Sequence, residues 1–248
     1  NPQRAIGTAV DPNALGGLLV WVTTLAGPQL VARRPLLPRG LTALILGVNS
    51  LALYLTYSRS SLVGLAAGLC LIGLLRYRRL LLLLLLVAVL FVATPFAQAY
   101  VARFVEGVLG EDRATQMRFG EYKDALLLIQ RYPWFGVGFT GSPDIDTYVG
   151  VSSIYLLMAE QMGLVGVAAF LLTLLVFFLT LARGWRRAPP DASYEAILLG
   201  IAGAVAGLLV AGVFDHYLFN LTYPHMTSLF WLTLGLGVAT ARLANPTP

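Results

Sequence analysis

Asp215 and His216, in the segment VFDHYLFN at the edge of an apolar run, pair a carboxylate with an imidazole and are the chain's best-placed groups for moving a proton. The carboxylate would raise the imidazole pKa if the two side chains met, although neighbours on a helix point about 100° apart. The competing reading is an interfacial cluster in which Asp215, His216, Tyr217, Asn220 and Tyr223 anchor a helix end. A second concentration of chemistry lies between Arg118 and Gly166, the only long polar interval in the chain. Sixteen of the seventeen basic residues are Arg, whose planar, permanently charged fork grips phosphate oxygens in pairs.

Other chemistries find little support. Cys70 is the single cysteine and sits mid-run, which excludes an internal disulfide and argues against thiol chemistry. No Cys and His cluster has metal spacing, since His216 and His225 flank a loop, so a metal site is not expected. No glycine-rich phosphate loop follows a strand, and no hydroxyl stands in a nucleophile elbow.

The elements that must position these groups are membrane helices. The chain has 248 residues, is 58% hydrophobic and only 12% charged, and has a mean hydropathy of +0.77. Seven runs read as spans, at about 14–32, 41–57, 61–75, 80–102, 153–182, 195–213 and 222–241, with the third short for the roughly 20 residues a crossing needs. The fold class is therefore all-α, a polytopic transmembrane helix bundle of about seven spans in one membrane domain over 1–248. Pro28 and Pro95 fall inside spans and should bend them. The run from 153 is long, so its first two turns, with Glu160, should leave the lipid or line a cavity.

Orientation follows from arginine placement. Arg33, Arg34, Arg39, Arg76, Arg78, Arg79, Arg183, Arg186, Arg187 and Arg242 fall on one side, which the positive-inside rule makes cytoplasmic, along with the C terminus. That bias also accounts for the net charge of +5, so no nucleic-acid partner is implied. The first ten residues, the turn at 58–61, a loop over about 103–152 and the segment 215–222 then open onto the outer face. The chain begins at Asn1 without Met, and a preceding segment is expected.

Within the outer loop, residues 114–131 carry Phe119, Tyr122, Leu126 and Ile129 on one helical face, which predicts an amphipathic helix resting on the bilayer or the spans. Pro133 ends it, and YPWFGVGF should form an aromatic turn at the membrane interface, with Gly136 and Gly138 free to adopt backbone angles closed to other residues. Gly141 to Gly150 reads as an irregular acidic loop in which Asp144 and Asp146 either bind an acceptor or simply solvate the chain.

Four segments in this order resemble the O-antigen ligase and polymerase family. They are Arg4, Gly7, Thr8, Pro12 and Asn13 before the first span; Ser58-Arg59 between the second and third; Arg118 followed by YPWFGVGF; and Tyr155-Leu156 with Glu160, Gly163 and Gly166 opening the fifth. The resemblance covers nearly all the chain but only the C-terminal half of a family member. It implies a bacterial inner-membrane enzyme that moves a glycan from an undecaprenyl pyrophosphate carrier to an acceptor hydroxyl, without metal or other cofactor. Its partners would be membrane lipids and a lipid-linked oligosaccharide. A pyrophosphate leaving without a divalent ion needs fixed cations, and the resemblance points to Arg59 and Arg118, with Arg4 third. The plainer readings are that Arg59 snorkels at a helix end and that Arg118 pairs with Glu121 one turn on.

One departure stands out. Family members commonly carry a His just before the Tyr-Leu pair, thought to activate the acceptor, where this chain has Ser152 and Ser153. A neutral Ser cannot take a proton at pH 7 as an imidazole can, which makes Asp215 and His216 the substitute and leaves Ser152, Ser153, Tyr155 and Glu160 as acceptor or loop contacts. Glu160 reads more naturally as an ion-pair partner of Arg59 or Arg118 than as a base. The rival expectation is an inactive family member serving other integral membrane subunits as a scaffold. A transporter ranks last, because the spans offer mainly Asn49, Ser50, Thr173 and Thr180 as polar groups.

Overall fold

A computed structural model describes residues 4–110, 113–139, 151–188, 193–220 and 222–244, and those residues form helices and turns with no strand. After a short 3-10 turn at Gly7–Ala9 come α1 (Pro12–Val31), α2 (Arg39–Thr56), α3 (Arg59–Leu75), α4 (Arg78–Ala93), α5 (Pro95–Leu109), α6 (Arg113–Arg131), α7 (Ile154–Arg187), α8 (Ser193–Ala211) and α9 (Pro224–Leu243). Five of these, α1, α2, α7, α8 and α9, are long and apolar enough to cross a membrane. The chain is a multi-pass helical membrane protein.

Seven expected spans become five to seven. α3 has only 17 residues and lies against α8, and the run expected over 80–102 is two helices, broken between Ala93 and Pro95. Pro95 lacks the N–H that would continue α4 and instead occupies the first turn of α5, where no partner is needed. Pro28, by contrast, lies within the last turn of an unbroken α1.

α8 is the central helix, with 67% of its apolar window buried against 17% for α2. Small residues explain its closeness to α3. A Cβ on Gly64 would fall 2.6 Å from the Gly207 carbonyl oxygen and one on Gly203 would fall 3.1 Å from that of Gly68, so two small-xxx-small stripes meet with no room for side chains. Such stripes let membrane helices gain packing where lipid gives no hydrophobic drive. α1 closes on the same helix, with Gly200 against the backbone of Leu25.

The bundle has two chemically distinct ends. At one, Arg76 Nε pairs with Glu195 Oε1 at 2.7 Å and Ser193 Oγ donates to the Arg34 carbonyl at 3.0 Å, so the arginine-rich connections lie together. At the other, Arg4 Nε donates to the Thr56 carbonyl at 2.8 Å, and the Ile154 N–H is shared by the carbonyls of Gly212 and Asp215.

Candidate functional site

Arg59 is presented by a tight, polar turn. Tyr57 takes the left-handed conformation (φ 51°) to reverse the chain, and the buried Ser58 hydroxyl caps α3 by accepting from Ser61 N–H while bonding Ser61 Oγ at 2.8 Å and Ser60 Oγ at 3.2 Å. Arg59 is the first residue of α3, and no acid stands in that turn. A cation there opposes the helix dipole at a cost of about 0.3–1 kcal/mol. The half-buried guanidinium and the helix N-terminus both turn positive charge toward the same space.

That space is a cavity of about 310 Å³, and Arg118 of α6 faces it from the other side. Ser60, Phe104, Thr115, Tyr122 and Phe214 complete much of its wall. Ala125 and Leu128 of α6 are fully buried, and of the expected face Tyr122 packs inward while Phe119 and Leu126 are exposed. α6 has apolar residues on two faces, and the one that packs on the bundle carries Arg118 and Tyr122 inward. Glu121 is not spent on Arg118. Its Oε2 accepts from Ser152 N–H at 3.0 Å while the Tyr122 hydroxyl donates to the Ser152 carbonyl at 3.2 Å, fastening α6 over the start of α7. Burial pushes the Tyr122 phenol above its usual pKa against the opposing pull of Arg118.

Asp215 lies next to Phe214, 6% exposed, and feels both Arg118 and Asp11. Burial raises its carboxyl above the ordinary range, while the charge of His216, its N–H bond to Asp215 Oδ1 at 2.9 Å and the charge of Arg118 pull it down. The Asp215 carbonyl accepts from Ile154 N–H at 3.1 Å, which brings the carboxylate's own backbone against the residue that follows Ser153. His216 is oriented by a different neighbour. The Asn220 Oδ1 accepts from Thr222 N–H at 2.8 Å, which turns the Asn220 amide nitrogen toward His216 Nδ1 at 3.3 Å. A donating amide makes Nδ1 the acceptor, so in the neutral form of the ring the proton sits on Nε2. His216 is then a hydrogen-bond donor at Nε2, and Tyr223 stacks on its ring at 6.0 Å.

The sequence reading missed a backbone clasp. α7 breaks at Gly163 (φ 67°, ψ −174°), freeing carbonyls before the break and amides after it. The 132–139 turn takes them up: Val137 N–H bonds the Glu160 carbonyl at 2.8 Å, Gly138 N–H the Gln161 carbonyl at 3.0 Å, and Leu164 N–H donates to the Pro133 carbonyl at 2.7 Å. A Cβ at Gly163 would collide with the Trp134 carbonyl, and one at Gly136 (φ 68°) with the Glu160 carbonyl. The legible signal was the pair of glycines within YPWFGVGF; the partner at Gly163 lies too far along the chain for a local pattern to join them.

The remaining expected residues have other surroundings. Arg4 does not line the cavity; it ties the N-terminal segment to Thr56 and to Asn13 Oδ1. Ser153 is buried as the residue before α7, and the Tyr155 hydroxyl donates to the Leu209 carbonyl at 2.9 Å, pinning α7 to α8. Glu160, 2% exposed, lies in the segment of α7 ahead of the break and outside the cavity wall. Asp144 and Asp146 lie outside the described residues.

No curated protein matches the chain in a sequence search. A family model described as O-antigen ligase matches residues 42–171, just over half the chain, running from α2 through the break in α7 and taking in Arg59 and Arg118. The chain thus belongs to the O-antigen ligase family.

Proposed function

We propose that the protein transfers a glycan from an undecaprenyl pyrophosphate carrier to an acceptor hydroxyl at the outer leaflet of the bacterial inner membrane, with its arginine-rich end and C terminus in the cytoplasm. The observation that carries this reading is the cavity shared by Arg59 and Arg118 at the N-terminus of α3. In the proposed step the Asp215 carboxylate takes the acceptor proton, the acceptor oxygen bonds to the anomeric carbon, and the bond from that carbon to the pyrophosphate oxygen breaks. The departing charge is held by two guanidinium forks and a helix N-terminus, which supply the stabilisation a divalent ion would otherwise give. His216, donating from Nε2, orients a sugar or acceptor oxygen.

The reading is tested with the full chain reconstituted in liposomes with a lipid-linked glycan and an acceptor. Arg59→Ala and Arg118→Ala should each lower kcat by about 10²–10³-fold, as loss of one donor to a developing oxyanion does. Transfer that survives both changes would sink the site assignment.

A second reading rests on Ser152, whose backbone N–H and carbonyl are both taken by α6 at the place of the family's usual His. A scaffold that has lost its base would copurify stoichiometrically with other integral subunits and show no transfer under any pH or acceptor.

A further inference from the structure

We infer that the opposite end of α3 holds a binding site for an anionic glycerophospholipid, separate from the glycan-transfer site. α3 spans 17 residues, or about 25 Å, so the two sites face opposite sides of the membrane. Between α1, α2, α3 and α4 lies a cavity of about 880 Å³, walled chiefly by leucines together with Pro28 and Val31 of α1. Its charged mouth is Arg76, Arg78 and Arg79.

The arginines divide the work. Arg76 is engaged with Glu195 and lies over the Tyr77 ring at 6.0 Å, which fixes the mouth against α8. Arg78 and Arg79 are exposed, open α4, and have no acid in that first turn. Their charge adds to the positive end of the helix dipole. Arginines alone would follow from the positive-inside bias and would imply no ligand. Here they line the same cavity as the leucines, a match for one molecule with a phosphodiester head and acyl tails. A zwitterionic lipid satisfies the walls but not the mouth.

Native mass spectrometry of the full chain in detergent, titrated with phosphatidylglycerol or phosphatidylethanolamine of identical acyl chains, tests this. Phosphatidylglycerol should bind about fivefold or more tightly than phosphatidylethanolamine, and Arg78→Gln with Arg79→Gln should abolish the difference. Leu84→Trp, which fills the cavity from α4, should weaken both lipids while the charge preference persists. Arg79→Gln alone carries the test if the double variant is not monodisperse, and should at least halve the preference. Equal binding of the two lipids to the unaltered protein, an unchanged preference in the variants, or tighter binding of undecaprenyl phosphate than of phosphatidylglycerol would each overturn the assignment.

Discussion

The two ends of α3 use one electrostatic device in two settings. Each brings arginine into the first turn of a helix that holds no acid in that turn, Arg59 in α3 and Arg78 with Arg79 in α4, and each lines a cavity. At the arginine-rich end the walls are mainly leucine, and the nearby carboxylate, Glu195, is paired with Arg76. At the other end Ser60, Thr115 and Tyr122 line the wall, and the buried Asp215 follows the lining residue Phe214 in the chain. Attraction for an anion is common to both. Under the proposed mechanism the glycan-transfer end differs in having, in Asp215, a group that can change its protonation state.

Asp215→Asn tests that distinction most severely. Transfer should fall by about 10²–10⁴-fold, the usual contribution of a positioned base, with lipid-carrier binding retained. In the unaltered protein the rate should rise with pH through the raised pKa of Asp215, because the base works only when ionised. Stability should move the other way. The folded carboxyl holds its proton to higher pH than the unfolded one, so the folded state binds more protons in that window and loses stability as pH climbs through it. Asp215→Asn removes the buried charge, and above the raised pKa of Asp215 it should therefore melt higher than the parent while transferring less. A variant that melts lower and transfers normally would make Asp215 a structural residue.

The clasp that carries the aromatic turn is the next point of failure. Gly163 occupies a region of backbone space that is essentially confined to glycine, and its missing Cβ is filled by the backbone at Trp134. Gly163→Ala should cost about 3 kcal/mol or more and release the turn from α7, read as a drop in melting temperature together with loss of transfer. Gly138 (φ 85°) has nothing within 4 Å of where its Cβ would lie, so Gly138→Ala should carry only a backbone cost of about 1 kcal/mol. Equal effects at the two glycines would mean that strain, not the interlock, holds the turn.

The contrast also shows what the sequence can carry. Membrane helices are legible because burial in lipid needs long apolar runs, and α1, α2, α7, α8 and α9 all stand where hydropathy puts them. The break at Thr94-Pro95 was readable only as a bend, since hydropathy cannot tell a kinked span from two helices. Arg59 and Arg118 are recognisable as motif residues, but their shared cavity depends on which apolar face of α6 packs inward, and two faces compete. The adjacency of Asp215 and His216 suggested a dyad. Their side chains instead serve separate partners, because His216 Nδ1 is taken by Asn220 four residues on, a choice made by the turn after α8 and invisible to spacing along a helix.

Arg4 gives the smallest effect and separates the two uses of arginine at the proposed glycan-transfer end. Its Nε and one terminal nitrogen each bond at 2.8 Å, to the Thr56 carbonyl and to Asn13 Oδ1, and the adjacent Ala5 N–H bonds the Leu55 carbonyl at 2.9 Å. These contacts tie the N-terminal segment to the end of α2, just ahead of the turn that presents Arg59. The Arg4 side chain is exposed, so water competes and Arg4→Ala should destabilise by only about 1 kcal/mol. If Arg4 is a staple, a modest drop in melting temperature should appear with the KM for the lipid carrier within about twofold of the parent's, far less than the tenfold expected when about 1.4 kcal/mol of binding is lost. A tenfold rise in KM at unchanged melting temperature would instead return Arg4 to the anion site as a third phosphate ligand.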